Sequence, residues 1–99
     1  MAAFPLRAVY IKKERVHDEA PVQMLVSVPK KRFKHAVDRN RVKRQVREAF
    51  RQHKELLYEA LAEHEQLLLA FVWLSDEHRP SRDVESRVVG LMQRVAEKL

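Results

Sequence analysis

The chain has no cysteine among its 99 residues and only one glycine, Gly90. Without cysteine there can be no disulfide framework, thiolate zinc site or cysteine nucleophile. A single glycine excludes the glycine-rich loops that hold phosphates in nucleotide-binding enzymes. The five histidines form no HxH or HExxH pattern, and there is no GxSxG motif. We therefore predict no catalytic residue and no metal ligand in the protein itself.

Long apolar segments are also missing. The longest run is LLLAFVWL, residues 67–74, which is far too short to span a membrane. The start MAAFPLRAVYIKK has no basic segment followed by an apolar stretch, so no secretory signal is indicated. These features, with the missing cysteine, favour a cytoplasmic protein that is not bound to a membrane.

Basic residues, by contrast, are abundant and concentrated. The chain carries 20 Lys and Arg against 14 Asp and Glu. Residues 29–54 hold eleven of these bases and only two acids, Asp38 and Glu48, whereas the other residues carry nine bases and twelve acids. A patch of like charge repels itself when the chain compacts, so it usually has an anionic partner. Nucleic acid, a membrane surface and an acidic protein all fit this observation.

The remaining pattern predicts one α/β domain over residues 1–99 with the order β-β-α-β-α. Residues 4–12 and 22–28 alternate as strands do and are close enough in sequence to form an antiparallel hairpin. Residues 66–74 are apolar on both faces, which predicts a central strand covered on both sides.

Two helices complete the predicted fold. The first starts near Val37 or Asp38, with Asp38 as its cap, and runs to about Ala62. The second starts with Ser81 as its cap. Apolar residues recur at helical spacing in both, which predicts their core faces. These residues are Val42, Val46, Ala49, Phe50, His53, Leu56 and Leu57 in the first helix, and Val84, Val88, Leu91, Val95 and Leu99 in the second.

A neighbouring face of the first helix is basic. Its members are Asn40, Lys43, Arg44, Arg47, Arg51 and Lys54. Like charges at i,i+4 spacing cost a few tenths of a kcal/mol per pair, and the fold alone gives no reason to accept that cost. A row of cations roughly 6 Å apart matches a phosphodiester backbone. The pattern favours nucleic-acid binding over a solvated charged face.

The segment KKRFK, residues 30–34, lies just before this helix, where free backbone N–H groups also favour anions. Phe33 has two possible roles, as a ring that stacks on an unpaired base or as a core anchor. Tyr10 could likewise stack on a base or pack within its strand. The sequence leaves both alternatives open.

The stretch from SVPKK through AVDRNRVKRQVREAF resembles the family of bacterial ribonuclease P proteins. The family signature is R-N-R-x-K-R-x-x-R-E, and it is filled here by Arg39, Asn40, Arg41, Lys43, Arg44, Arg47 and Glu48. The resemblance covers nearly the whole chain. Family members usually begin with a basic, aromatic helix before the first strand, whereas this chain starts almost at that strand, so we expect the helix to be absent or to lie outside these 99 residues. Leu25 stands where the family usually has Gly, and Pro29 where it has Ser.

The resemblance implies a two-layer α+β sandwich with a left-handed β-α-β crossover. It also implies a protein that binds the catalytic RNA of ribonuclease P and the 5′ leader of precursor tRNA. The RNA subunit and substrate, and not the protein, would hold the catalytic Mg²⁺. The predicted RNA contacts are Lys30, Lys31, Arg32, Lys34, Arg39, Asn40, Arg41, Lys43, Arg44, Arg47 and Arg51, and Tyr10 and Phe33 are the predicted rings for stacking on the leader. The alternatives are a ribosomal or general RNA-binding module, and a protein whose basic face meets an acidic partner.

Overall fold

A computed structural model describes all residues from Met1 to Leu99. The elements are β1 (Ala2–Ala3), β2 (Leu6–Glu14), β3 (Val22–Ser27), α1 (Ala36–His53), α2 (Glu55–Tyr58), β4 (Glu65–Trp73) and α3 (Ser81–Lys98). The four strands form one sheet in the order β1-β2-β4-β3. The α/β class is confirmed, and so is the predicted element order apart from the short additions β1 and α2. No helix combines the length and apolar character needed to cross a membrane.

The predicted hairpin between the first two long strands is wrong. Strand β2 pairs antiparallel with β4, with Leu6 opposite Trp73, and β3 pairs parallel with β4, with Val22 opposite Leu67. Strand β4 therefore lies between β2 and β3. The most apolar strand gains most from a neighbour on each side, whereas β2 and β3 carry polar residues that suit flanking positions. The parallel pair is joined through α1, as a β-α-β unit requires, and the hand of this crossover stays a prediction.

Burial alternates along the strands, so only one face of the sheet is covered by the helices. Along β4, Leu67, Leu69, Phe71 and Trp73 are buried, whereas the residues between them are half-buried. The prediction that β4 is covered on both sides is therefore wrong. On the open face of the sheet, Val9, Ile11 and Leu25 are 46%, 60% and 59% exposed.

The predicted core faces of both helices are largely confirmed. Val42, Val46, Ala49 and Leu57 are buried, and so are the residues at the same spacing in α3 from Val84 to Val95. Phe50 and Leu99 pack against this core from its margin. His53 was predicted to be a core histidine, and this is wrong. Its side chain is 36% exposed, and its Nε2 lies 3.7 Å from Glu85 Oε2.

The helix ends differ from the predicted ones. Helix α1 begins at Ala36 after His35, whose side chain makes no capping hydrogen bond, and Asp38 lies in the first turn instead of at the cap. It ends at His53 and not near Ala62, with α2 as a separate short helix. Acids such as Glu55 and Glu59 oppose the dipole of a longer helix at its C-terminal end. Ser81 is the first residue of α3 after Pro80, and it makes no cap hydrogen bond.

Gly90 gives a test of helix packing, because a Cβ added there would meet nothing within 4 Å. Glycine inside a helix is less favourable than alanine by about 1 kcal/mol. We expect Gly90→Ala to stabilise the protein by roughly 0.5–1 kcal/mol, which corresponds to a Tm increase of about 2–8 °C for a domain of this size. Urea and thermal unfolding measure this change. Ala96→Gly in the same helix should have the opposite sign, and a lower stability for Gly90→Ala would contradict the open packing at this position.

Candidate nucleic-acid interface

Two adjoining segments carry the net positive charge of the protein. The first is the basic loop, which we define as residues 29–35 between β3 and α1. The second is the cationic face of α1, which extends from Arg39 to Arg51. The buried residues Val42, Val46 and Ala49 turn one side of α1 toward the core, and the charged side chains consequently point away from it.

Most of these cations have no partner within the chain. Those without any intramolecular ion pair or hydrogen bond are Lys30, Lys31, Lys34, Arg41, Lys43, Arg44 and Arg47. All of them are exposed except Lys43, which is half-buried, and the adjacent Asn40 is exposed as well. Unpaired like charges that lie side by side repel one another. This surface therefore gains electrostatic stability when an anion with several charges binds.

Three of the predicted RNA contacts, Arg39, Arg32 and Arg51, also have partners within the protein. Arg39 donates hydrogen bonds from Nη1 to the backbone carbonyls of Phe33, at 2.8 Å, and Lys34, at 2.9 Å. Arg32 places Nη1 3.4 Å from Asp76 Oδ1. Both guanidinium groups hold the basic loop in place. That these arginines also contact RNA stays a prediction.

Arg51 is the cation of α1 with a close acidic partner. Its Nε and Nη2 donate to the two carboxylate oxygens of Glu48 at 3.1 and 2.6 Å. The Arg51 hydrogen bond lowers the pKa of Glu48, and the same hydrogen bond raises the pKa of Arg51. Gln52 also donates to Glu48. The cationic face of α1 thus ends at an ion pair, and Arg51 has less free charge to offer than Arg47.

This ion pair predicts that Glu48→Gln strengthens RNA binding. The change removes one negative charge from the interface and releases Arg51 to meet a phosphate. We expect tighter binding of single-stranded RNA and a steeper dependence of log K on log salt, by up to about 0.7. Affinity titrated at several salt concentrations measures both. Glu55→Gln, at an exposed acid in α2, is the matched control, and an equal effect of both variants would mean that net charge alone is responsible.

The two predicted stacking rings lie on the covered side of the sheet or in the core. Phe33 is 9% exposed, and its ring stacks on that of His78 with centroids 4.4 Å apart. This geometry favours the core-anchor alternative for Phe33. Tyr10 follows the alternation of Leu6 and Ala8 and packs partly against the core. Tyr10 is half-buried, so part of its ring remains accessible.

The open face of the sheet carries an apolar surface that the sequence reasoning missed. A shallow groove of about 500 Å³ runs across it and is lined by residues of all three long strands, including Ile11, Leu25 and Leu68. The signal was present in β2, where Val9 and Ile11 make the second face apolar beside Leu6 and Ala8. Because β4 was predicted to be covered on both sides, this open apolar face was not predicted.

Comparison with known proteins shows what kind of chain presents this interface. The family model for ribonuclease P matches residues 2–94. The chain belongs to the ribonuclease P protein family.

No group of three or more His, Asp or Glu side chains lies close enough together to hold a metal ion. The expectation that Mg²⁺ is held by RNA is not tested by this fact and stays a prediction.

Individual relatives agree with the family match. The chain is 47% identical over 94 residues to the ribonuclease P protein component of Porphyromonas gingivalis, covering 94% of this chain and 68% of that protein. It is 48% identical over 59 residues to that of Chlorobaculum tepidum, covering 54% and 38%. The solved RNase P protein from Thermotoga maritima shares the fold, with a TM-score of 0.64 and 20% identity over 88% of this chain and 76% of that one.

Proposed function

We propose that the chain is the protein subunit of ribonuclease P. In this role it binds the catalytic RNA and the 5′ leader of precursor tRNA, and it assists the endonucleolytic removal of that leader in the cytoplasm. The observation that carries the proposal is the set of exposed cations without intramolecular partners on the basic loop and α1. Its position in a chain of this family supports RNA as the anion.

The cations have a physical role that requires no protein chemistry. Each Lys or Arg that meets a phosphate releases condensed counterions, which is the main source of affinity for a nucleic-acid backbone. Lys30, Lys31 and Lys34 would supply these contacts from the basic loop. Arg41, Lys43, Arg44 and Arg47 would supply them from α1, with Asn40 beside them. Tyr10 remains a predicted leader contact through the accessible part of its ring.

Catalysis is assigned to the RNA subunit in this proposal. Mg²⁺ held by that RNA and by the substrate would supply the activated water and stabilise the departing oxygen. The protein would contribute by binding two polyanions side by side and reducing their repulsion. This lowers the Mg²⁺ concentration at which the RNA and substrate can associate.

Reconstitution with a cognate catalytic RNA tests the proposal. We expect the protein to stimulate cleavage of the leader from precursor tRNA strongly at low Mg²⁺ and weakly at high Mg²⁺. A general RNA-binding module would bind both RNAs without stimulating cleavage. A protein with an acidic partner would bind RNA no better than an unrelated basic protein. Either of those two results would refute the proposed function.

A further inference from the structure

The connection between β4 and α3, residues 74–80, contacts the basic loop although nothing in the proposed function uses it. Asp76 of this connection lies 3.4 Å from the Nη1 of Arg32. His78, two residues further on, stacks on Phe33 with an angle of 14° between the ring planes. Two side chains from one turn therefore hold two consecutive residues of the loop.

His78 also reaches α1. Its Nε2 lies 3.0 Å from Oδ1 of Asp38, which is in the first turn of that helix. Its other ring nitrogen, Nδ1, is buried and has no hydrogen-bond partner. The stack fixes the plane of the imidazole, and the contact with Asp38 fixes its rotation within that plane. One side chain thus joins the basic loop, the start of α1 and the β4–α3 connection.

Apart from His78, the side chain of Arg39 fixes the loop at the end that meets α1. Helix α1 has no side-chain cap at His35. Within the loop itself, the backbone N–H of Arg32 donates to the carbonyl of Pro29 at 2.9 Å. Arg39 donates hydrogen bonds to the carbonyls of Phe33 and Lys34. Phe33 is the one buried residue between Val28 and the first buried residue of α1, Val42, so its packing against His78 helps to determine where the loop lies, together with the hydrogen bonds of Arg39.

We propose that His78 is a positioning residue for RNA binding. By stacking on Phe33 and pairing with Asp38, it holds the basic loop in register with the cationic face of α1. The exposed cations Lys30, Lys31 and Lys34 then form one surface with Lys43 and Arg47 before any RNA arrives. This inference rests on the proposed function, because it names what pre-forms the RNA-binding surface.

The physical effect is preorganisation. A loop and long side chains that must be ordered on binding each subtract from the affinity, and a loop that is already ordered avoids part of that loss. Replacing His78 should therefore weaken RNA binding although His78 itself touches no phosphate. Ordering two or three loop side chains corresponds to about a tenfold difference in affinity.

The test uses the full chain and a labelled single-stranded oligoribonucleotide with a precursor-tRNA leader sequence. We expect His78→Ala to weaken binding about tenfold at about 0.1 M salt. His78→Phe keeps the stacked ring and loses the contact with Asp38, so its affinity should fall between that of His78→Ala and the wild type. His64→Ala is the matched control, since His64 is an exposed histidine outside the proposed interface. It should bind nearly as well as the wild type.

A double-mutant cycle separates positioning from general destabilisation. In a Lys30→Ala/Lys31→Ala background the loop has lost most of its phosphate contacts, so adding His78→Ala should cost much less than it does in the wild-type background. An equal cost in both backgrounds would overturn the proposal. Should His78→Ala unfold, the same cycle with His78→Phe decides, and hydrogen exchange at the Arg32 amide should be faster in that variant.

The outcomes distinguish a failure of the proposed function from a failure of the positioning role of His78. If the wild-type protein shows no salt-dependent RNA binding, the proposed function fails. If the wild type binds RNA and every His78 variant binds equally well with an equally protected Arg32 amide, the proposed function stands and the positioning role of His78 is wrong.

Discussion

The variant Val46→Asp is expected to lose its cooperative unfolding transition altogether. Val46 is fully buried and lies on the core side of α1, in the same apolar cluster as Val42 and Ala49. Losing its burial costs about 1.5–3 kcal/mol, and an unpaired carboxylate in that position costs several kcal/mol more. Domains of this size are stable by roughly 5–15 kcal/mol in total, so the sum removes most or all of the stability.

Its sequence neighbour supplies the control. Arg47 is exposed and makes no contact with an acid, so Arg47→Asp should fold normally and lose RNA affinity. Circular dichroism and urea unfolding of both variants separate the two faces of α1. A normal melting transition for Val46→Asp, or an unfolded Arg47→Asp, would mean that the helix is rotated relative to the orientation described above.

Local patterns predicted the elements and the core well. The 3.6-residue period places Val42, Val46 and Ala49 in the core because a helix repeats its faces whatever surrounds it. Strand alternation likewise separated Val22 and Val26 from Gln23 and Leu25. The resemblance to a known family then supplied the family, and with it the proposed function, which periodicity could not.

The arrangement of the sheet was beyond such reasoning. Proximity in sequence favoured pairing β2 with β3. The observed pairing instead places the most apolar strand, β4, between these two strands. Only the assembled sheet, with β4 in its centre, shows this. The open apolar face around Ile11 and Leu25 was missed for the same reason. The continuous apolar run in β4 is compatible with a strand covered on one face as well as with a strand covered on both.

Side-chain partners were equally invisible in the sequence. Arg39 and Arg47 are both arginines of the signature, yet Arg39 is bonded to the carbonyls of the basic loop and Arg47 has no intramolecular partner. Glu48 was part of the recognised motif, but its ion pair with Arg51 depends on rotamers. His78 carried no signal at all, because its partners Phe33 and Asp38 are about forty residues away in the chain.

The triple variant Lys30→Ala/Lys43→Ala/Arg47→Ala is expected to bind leader RNA about 100-fold more weakly than the wild type at about 0.1 M salt. All three cations lie on the proposed interface without intramolecular partners, one in the basic loop and two on α1. Each phosphate contact to a single strand contributes about 0.7 to the slope of log K against log salt, so three contacts contribute roughly 2.1. If both proteins bind equally at about 1 M salt, that difference in slope makes the affinity of the triple variant about two orders of magnitude lower than that of the wild type at about 0.1 M.

A second triple variant, Arg82→Ala/Arg87→Ala/Lys98→Ala, makes the location testable. These residues are exposed cations of α3 outside the proposed interface, and their removal changes the net charge of the protein by the same amount. General attraction between a basic protein and RNA would give the two variants the same affinity and the same salt slope. A specific surface on the basic loop and α1 requires a slope reduced by about 2 for the first variant and nearly unchanged for the second. Equal slopes for the first variant and the wild type would show that the RNA lies elsewhere, even if the affinities differed.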